Sequence, residues 1–326
     1  MSATTQVATR LIGLADIEAA RARIAPYVRR TPVLTNDLLD AEAGAQLFFK
    51  CENLQHIGAF KARGATNAVL SLSDAAAAKG VATHSSGNHA AAVARAAALR
   101  GIPAYIVMPE GAARPKVAQV ERLGGQITFC APTLAAREEV AARIVAETGA
   151  AMIHPFDNRA VMAGQGTAAL ELMEDAPDLD VVIAPIGGGG LISGVSTAVK
   201  ALRPATRMVG AEPAGADDAA RSFAAGRLIP LTDVNTIADG LRASLSQSTF
   251  DHIRRGVDAI ATVSEPGIVA AMRALWEALK VVVEPSAAVA YAAVREGKVD
   301  VAGRRVGIIL TGGNVDLDRL PWLAAQ

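Results

Sequence analysis

The chain has 326 residues, of which 51% are hydrophobic and 4% aromatic, so two domains with largely aliphatic cores are expected. Its 32 Lys and Arg balance its 32 Asp and Glu, and this zero net charge argues against partners such as nucleic acid or a membrane surface. Residues 1–24 lack an apolar signal core and no stretch is a clean membrane span, so we expect a cytoplasmic protein.

Short apolar runs alternate with helical patterns along the chain. The spacing of apolar residues from Leu14 to Val28 predicts a first helix. Further on, the pattern predicts the following strands and helices in order: strand Val81–Ser85, helix Asn88–Arg100, strand Ala104–Met108, helix Pro115–Leu123, strand Gln126–Cys130, helix Thr133–Thr148, strand Val181–Pro185, helix Leu191–Leu202 and strand Val306–Leu310. Such alternation predicts parallel sheets with helical crossovers.

The same alternation suggests how the chain is divided into domains. Residues 76–156 are predicted to form a compact three-layer unit. This unit is inserted into a larger domain made of residues 1–75 and 157–326. Because no repeat or long linker marks the boundaries, these bounds depend on the pattern alone.

Four consecutive glycines, Gly187–Gly190, follow the strand Val181–Pro185 and precede a helix. Glycine loses much backbone freedom on folding, so a run of four is costly to order. Its use is to let several backbone N–H groups approach one anion at a helix N-terminus. The run lacks the ending of a Walker loop and the spacing of a dinucleotide fingerprint. It therefore predicts a site for a single phosphate, with a flexible turn as the alternative.

Lys61 lies among small and apolar residues, with Phe60 before it and Ala59, Ala62 and Arg63 nearby. A lysine held among apolar groups has a depressed pKa and becomes a competent amine nucleophile. Most lysines are solvated surface charges, and that interpretation stays open at this point.

Two further polar segments are candidate binding sites. Residues 85–89, Ser-Ser-Gly-Asn-His, end a strand and open a helix, so they can bind a carboxylate or serve as an ordinary N-cap. The imidazole of His89 can act as a general base or make a structural hydrogen bond. Glu212 and Asp218 are six residues apart, with carbonyl groups between them. That spacing suits a hard divalent cation, and a solvated acidic turn is the alternative.

In this order and spacing, the motifs resemble the serine/threonine dehydratase and serine racemase family of fold type II pyridoxal phosphate enzymes. The resemblance extends from about Ile17 to Leu320 and is carried by the stretches KCENLQHIGAFKARGATNAV, THSSGNHAAAVA, GIPAYIVMPEGA, MAGQGTAALE, PIGGGGLISG, AEPAGADD, TIADGL, VEPSAA and LTGGNVDL. It implies an α/β fold like that of tryptophan synthase β, with two open twisted parallel-sheet domains and helices on both faces.

The resemblance also implies roles for the matching residues. Lys61 would form the Schiff base with pyridoxal 5'-phosphate, and Ser86 would be the acid on the opposite face that serine racemases use. The cofactor would further contact Phe60, Asn88, Gly187, Gly188, Gly189, Gly190, Leu191, Gly240 and Thr311. The substrate carboxylate would be held by Ser85, Asn88, His89 and Arg137. A Mg²⁺ ion, or Ca²⁺ or Mn²⁺ in its place, would be held by Glu212, the Ala216 carbonyl and Asp218.

The function implied is an ammonia-lyase that eliminates water from a β-hydroxy amino acid of the L-threonine or L-serine type. Serine racemase and threo-3-hydroxyaspartate ammonia-lyase are the alternatives, because Ser86 occupies a position where many threonine dehydratases have alanine. A cofactor carrier without activity is a third hypothesis, which the set of Lys61, Asn88 and Thr311 argues against. We also expect a homodimer.

Two departures from the family pattern leave the substrate preference open. Residues 90–92 are all alanine, where the family usually has a glutamine at the middle position, and residues 56–59 read His-Ile-Gly-Ala instead of Lys-Thr-Gly-Ser. Because the family pattern reaches almost to Gln326, we expect no isoleucine-binding regulatory domain.

Overall fold

A computed structural model describes residues 11–85, 87–112 and 114–323. The strands in these residues are β1 (Val33–Leu34), β2 (Gln46–Cys51), β3 (Val81–His84), β4 (Ala104–Pro109), β5 (Gln126–Cys130), β6 (Ala151–Met152), β7 (Val181–Pro185), β8 (Arg207–Pro213), β9 (Ala259–Val263) and β10 (Arg305–Leu310). The α-helices are α1 (Leu14–Ile24), α2 (Asp37–Ala43), α3 (Lys61–Leu70), α4 (Asp74–Ala77), α5 (Asn88–Arg100), α6 (Arg114–Arg122), α7 (Leu134–Thr148), α8 (Arg159–Asp175), α9 (Gly190–Leu202), α10 (Asp218–Ala225), α11 (Gln247–Gly256), α12 (Glu265–Leu279) and α13 (Pro285–Arg295).

The strands form two separate sheets. The larger has the order β1-β2-β10-β7-β8-β9, and the smaller has the order β5-β4-β3-β6. In the central register of the larger sheet, Ile308 of β10 aligns with Phe49 of β2 and with Ile183 of β7. All neighbouring strands are parallel except the edge strand β1, which pairs antiparallel with β2. The two parallel sheets predicted from the alternation are therefore confirmed, with one antiparallel edge strand in addition.

Helices cover both faces of each sheet. Along β7, Val181 and Ile183 belong to the core shared with α12 and α13, whereas Val182 and Ala184 belong to the core shared with α1, α8, α9 and α11. In the smaller sheet, alternate residues of β3 and β4 face α5 on one side and α7 on the other. A strand buried on both faces needs apolar residues at every position, which explains the continuous run VVIAP. The predicted fold class is thus confirmed.

The first helix is shorter than its sequence pattern. Helix α1 ends at Ile24, and Pro26 follows shortly after. The prediction that the helix extends to Val28 is therefore wrong, because proline has no backbone N–H to continue the helical hydrogen bonds. Among the described residues, no helix combines the length and the apolar composition that crossing a membrane requires.

Candidate active site

The loops that follow several parallel strands meet around one site. The N–H of Phe60 donates to the Thr311 carbonyl over 3.0 Å, and the N–H of Gly313 donates to the Gly58 carbonyl over 2.9 Å. These bonds join the segment after β2 to the segment after β10. Because the carboxyl ends of parallel strands lie at the same edge of a sheet, loops far apart in sequence are brought together there. Lys61 is thereby placed next to the Thr311 segment.

Lys61 is the first residue of α3, and its side chain is partly buried. Its Nζ donates to the Pro155 carbonyl over 2.8 Å and lies 5.1 Å from the centroid of the Phe60 ring. Burial lowers the pKa of Lys61 to about 8, because surroundings of low polarity disfavour the charged amine. An amine with this pKa is partly neutral near pH 7.5 and is able to act as a nucleophile or a base.

The glycine loop, residues 187–190, lies where added side chains would collide with neighbouring atoms. A Cβ on Gly187 would lie 2.9 Å from the Leu241 Cα, and a Cβ on Gly190 would lie 2.8 Å from the Phe156 Cβ. Within the described part of the chain, the N–H groups of these glycines donate to no protein acceptor. They stand at the N-terminus of α9, where the helix dipole favours negative charge. This arrangement suits a phosphate group.

Asn88, at the start of α5, is held by Glu284 and Asn314. Its Nδ2 donates to Glu284 Oε1 over 2.9 Å, and its Oδ1 accepts from Asn314 Nδ2 over 2.8 Å. Glu284 Oε2 also accepts from the Asn314 N–H over 3.1 Å, so the three side chains form a closed network. Burial, and then the nearby Asp239 carboxylate, raise the pKa of Glu284 to about 7. The Asn88 amide is therefore fixed in one orientation.

Thr311, Gly240 and Leu191 border the same space. Thr311 and Leu191 are buried, 3% and 5% exposed respectively. The Gly240 N–H donates to Ser286 Oγ over 3.0 Å, and the Gly240 carbonyl lies 3.0 Å from the position of a Cβ on Gly187. The structure thus brings these predicted cofactor contacts together with Lys61 and the glycine loop.

The predicted substrate-binding segment differs in part from its expected form. Ser85 Oγ accepts from the Gly87 N–H over 3.2 Å, whereas Ser86 lies outside the described residues. The His89 ring is buried, and its Nε2 lies 3.0 Å from the Ile153 carbonyl. Burial, and then the nearby Lys61 amine, hold the pKa of His89 well below its usual value. Nε2 therefore has a structural partner, whereas the buried Nδ1 has none among the described residues, so Nδ1 and the backbone N–H are the groups that His89 can offer a substrate.

Arg137 lies on α7, at the edge of a group of aromatic rings. Burial, and then the Arg137 guanidinium, lower the pKa of His84. The His84 ring packs edge-on against His154 at 5.6 Å, and His154 packs edge-on against Phe156 at 4.6 Å. Arg137 Nε donates only to the Thr133 carbonyl of its own helix cap, over 3.4 Å. Among the described residues its Nη1 and Nη2 atoms make no hydrogen bond or ion pair, so they are available to a further anion.

The predicted metal ligands form a separate group at the end of β8. Glu212 and Asp218 are 1% and 2% exposed, and Ala216 lies in the buried turn between them. Glu212 accepts from the Ala220 N–H over 2.9 Å, and Asp218 accepts from the Leu245 N–H over 3.2 Å. Burial raises the pKa of Glu212 to about 8 and that of Asp218 to about 6. Within the described residues, no cluster of three or more His, Cys, Asp or Glu side chains accompanies them.

Sequence reasoning assigned no role to several residues of this site. Glu284 is the most important of them, and its only sequence signal was a lone carboxylate within the apolar stretch 281–294. Pro155 and Phe156 carry no such signal, since their contacts with Lys61 and Gly190 are visible only in the folded chain.

The residues of the site fit pyridoxal phosphate. The backbone N–H groups of the glycine loop would donate to the phosphate, and the partly neutral Lys61 amine would react with the aldehyde. The neutral Thr311 hydroxyl would bind the ring nitrogen. The glycine loop also leaves no room for side chains beside Phe156 and Leu241. Oxygen ligands at Glu212 and Asp218 fit a hard divalent cation, which would neutralise two buried carboxylates.

Comparison with known proteins agrees with this site. Residues 24–312 match the protein family described as "Pyridoxal-phosphate dependent enzyme". The chain is 53% identical to the β-hydroxyaspartate dehydratase of Paracoccus denitrificans over 307 residues, covering 94% of this chain and 98% of that protein. It is also 53% identical to serine racemase of Oryza sativa subsp. japonica over 307 residues, covering 93% and 91% of the two chains. The structure of maize serine racemase superimposes with a TM-score of 0.93 at 51% identity, covering 95% of each chain.

The matched region spans the glycine loop, Lys61 and Thr311, and the identity extends over nearly the whole chain. By sequence, by fold and by the arrangement of its site, this chain belongs to the pyridoxal-phosphate dependent enzyme family.

Proposed function

We propose that this protein is an ammonia-lyase that removes water from a β-hydroxy amino acid and releases a 2-oxo acid and ammonia. The observation that carries the proposal is the buried Lys61 amine, which faces the Pro155 carbonyl beside the glycine loop. When bound, pyridoxal phosphate supplies the electron sink that stabilises negative charge developing at the substrate α-carbon.

Lys61 moves the proton in this reaction. Its amine, with a pKa lowered to about 8, accepts the proton from the substrate α-carbon. The bond between the β-carbon and its hydroxyl then breaks, and the hydroxyl takes a proton and leaves as water. The unsaturated amine that is released hydrolyses to the 2-oxo acid and ammonia. The Pro155 carbonyl, 2.8 Å from Nζ, holds the amine in place when it is not bound to the cofactor.

The other residues bind and orient. Backbone N–H groups of residues 187–191 would hold the phosphate, and Asn88 and Thr311 would meet the ring hydroxyl and ring nitrogen. Phe60 and Gly240 would line the ring. Because Glu284 and Asn314 fix the Asn88 amide, its position does not depend on the cofactor.

We propose β-hydroxyaspartate as the preferred substrate within this class. The relative named for that activity shares 53% of its residues with this chain over nearly its full length. The Arg137 guanidinium, which helps to lower the pKa of His84 and has no ion-pair partner among the described residues, supports a substrate with a second carboxylate. L-Threonine and L-serine are the alternatives within the same reaction.

Serine racemisation is the second candidate function. Relatives with the name serine racemase reach 53% identity, and the family resemblance implies that Ser86 is the acid on the face opposite Lys61. Elimination from an L-substrate needs Lys61 alone, whereas inversion needs both groups.

Closure of the smaller domain belongs to the proposal. We assign residues 76–156 to a domain that closes on a larger one made of residues 1–75 and 157–326. The two separate sheets support this division, because the strands of the smaller sheet, β3 to β6, all lie within residues 76–156. An ion pair between Lys116 of α6 and Asp239 joins the two parts. A Mg²⁺, Ca²⁺ or Mn²⁺ ion bound by Glu212, Ala216 and Asp218, a homodimer and a cytoplasmic location stay predictions.

The test is a substrate panel with the purified holoenzyme. L-Serine, D-serine, L-threonine and L-threo-3-hydroxyaspartate are incubated separately, and 2-oxo acid, ammonia and the ratio of enantiomers are measured. We expect fastest oxo-acid release from hydroxyaspartate and none in Lys61→Ala. Borohydride should trap the cofactor on Lys61. Labelling of a different lysine, or inversion of serine faster than any elimination, would contradict the proposal.

A further inference from the structure

Arg63 is buried behind the site, two residues after Lys61 on the first turn of α3. Its side chain is 0% exposed, as are those of Lys50 and Glu52, and Glu171 is 6% exposed. Residues two apart on a helix point to roughly opposite sides, about 200° apart. Arg63 therefore points away from the substrate, into the contact between α3, β2 and α8.

All three nitrogens of the Arg63 guanidinium donate hydrogen bonds. Nε and Nη2 donate to Glu52 over 2.7 and 2.8 Å, and Nη1 and Nη2 both donate to Glu171 over 2.7 Å. Nη1 also donates to Thr167 Oγ1 over 3.2 Å. Lys50 Nζ donates to Glu171 over 2.7 Å, so two cations face two carboxylates in one buried cluster.

Stability alone does not explain this cluster. A cation in the first turn of a helix is opposed by the helix dipole. Buried ion pairs are also often no more stabilising than well-packed apolar residues of similar volume. A guanidinium bound to two carboxylates has a defined orientation, because its donors lie in one plane and the hydrogen bonds are lost if that plane rotates.

The orientation of the Arg63 guanidinium determines how α3 packs against α8. The two helices are in backbone contact where Gly64 meets Gly164, since a Cβ on Gly164 would lie 2.7 Å from the Gly64 Cα. Glu171 lies seven residues, or about two turns, further along α8. One close contact and one bidentate ion pair at this separation fix both the position and the rotation of the α3 start.

The hydrogen bond between Lys61 and Pro155 joins α3 to the segment that leads into α8. Lys61 is the first residue of α3, and Pro155 lies four residues before the start of α8 at Arg159. A rotation of α3 against α8 would therefore change the distance between Lys61 Nζ and the Pro155 carbonyl, now 2.8 Å.

We propose that Arg63 is a positioning residue of the enzyme: held between Glu52 and Glu171, it sets where the Lys61 amine stands relative to Pro155 and the glycine loop. This inference rests on the proposed role of Lys61 as the lysine that carries the cofactor.

The test compares Arg63→Lys with Arg100→Lys in the holoenzyme. Arg100 of α5 also anchors α3, at its other end, by donating to the Val69 carbonyl over 2.6 Å, and it pairs with the exposed Asp74, so it is a control for loosening α3 away from Lys61. Lysine keeps the charge but cannot bind two carboxylates side by side. The measurements are kcat and KM, and the pH midpoint of the cofactor absorbance, which reports the environment of the lysine to which it is bound.

For Arg63→Lys we expect kcat to fall by roughly 10- to 100-fold with KM within about threefold, since misplacing a reacting group by about 1 Å costs about 100-fold. The absorbance midpoint should shift by about half a pH unit or more, whereas Arg100→Lys should leave both quantities at wild-type values. If Arg63→Lys does not fold, Glu171→Gln, which keeps the shape but removes one charge, should shift the midpoint in its place.

The proposal is overturned if folded Arg63→Lys has the wild-type kcat and the wild-type absorbance midpoint, because the cluster would then only stabilise the fold. If Glu171→Gln has to be used instead, a wild-type kcat and midpoint in that variant would have the same meaning. An equal shift in Arg100→Lys would also overturn the proposal, because loosening either end of α3 would then have the same effect. Failure of the proposed function looks different: borohydride would label a lysine other than Lys61 in the wild-type protein.

Discussion

The glycine loop offers the sharpest test of how the site is built. In Gly190→Ala, the new Cβ would lie 2.8 Å from the Phe156 Cβ and 2.9 Å from its Cα. Ordinary carbon contacts are about 3.5–4.0 Å, so the loop and the Phe156 segment must separate by about 1 Å. Because Phe156 directly follows Pro155, this movement would also disturb the carbonyl that binds Lys61.

The expected loss is in cofactor binding. Overpacking of this size costs about 1–3 kcal/mol. A displacement of the N–H donors from the phosphate should raise the Kd for pyridoxal phosphate by about 100-fold, equivalent to about 2.8 kcal/mol. Titration of the apoprotein with cofactor, followed by absorbance, measures this value directly. Gly13→Ala is the control, because no atom lies within 4 Å of its added Cβ. A wild-type Kd in Gly190→Ala would refute the idea that the loop is shaped by these contacts.

Three further predictions concern other parts of the chain. Burial raises the pKa of Glu284 from 4.5 to about 7, so between these pH values the folded apoprotein holds a proton that the unfolded chain releases. The free energy of unfolding should therefore fall by up to about 3 kcal/mol as the pH rises from 4.5 to about 7. Urea unfolding of Glu284→Gln should show a smaller fall, because Glu212 and Asp218 also have raised pKa values and keep their contribution. Identical slopes in the two proteins would contradict the assignment. A chelator should lower the Tm of the wild type, because it removes a metal ion that binds only the folded state. At a metal concentration one hundred times the Kd, that binding stabilises the fold by about 2.7 kcal/mol, and Glu212→Ala should abolish the effect of the chelator. Unchanged melting of the wild type with chelator would refute the metal site. Ser86→Ala should reduce serine inversion by about 10²–10⁴-fold while elimination continues, and an unaffected inversion rate would make Ser86 a turn residue only.

Local sequence signals predicted the fold well where a segment is buried on both faces or clearly capped. The strand Val181–Pro185 has the predicted bounds, since five successive apolar residues suit a central parallel strand. The helix Leu134–Thr148 is capped by the Thr133 side chain at its start and ends at Gly149 in a left-handed conformation. The N-terminal helix was predicted too long, because its apolar spacing continues past Pro26 while the regular helix ends at Ile24.

The sequence by itself determined the order of strands and helices, the two parallel sheets, and the motifs that carry the cofactor chemistry. These depend on neighbouring residues: apolar periodicity, helix caps and a run of glycines that is useful only beside an anion. It also indicated the family, because several such motifs occur in one order.

Only the tertiary structure decided which groups surround those motifs. Glu284 contacts Asn88 across 196 positions of the chain, and Arg63 contacts Glu171 across 108. Such pairs leave no periodic signal, because each joins two helical segments that are distant in sequence and meet only in the folded chain. Burial then changes the pKa of Lys61 and Glu284, and burial is a property of the folded protein and not of any segment of it.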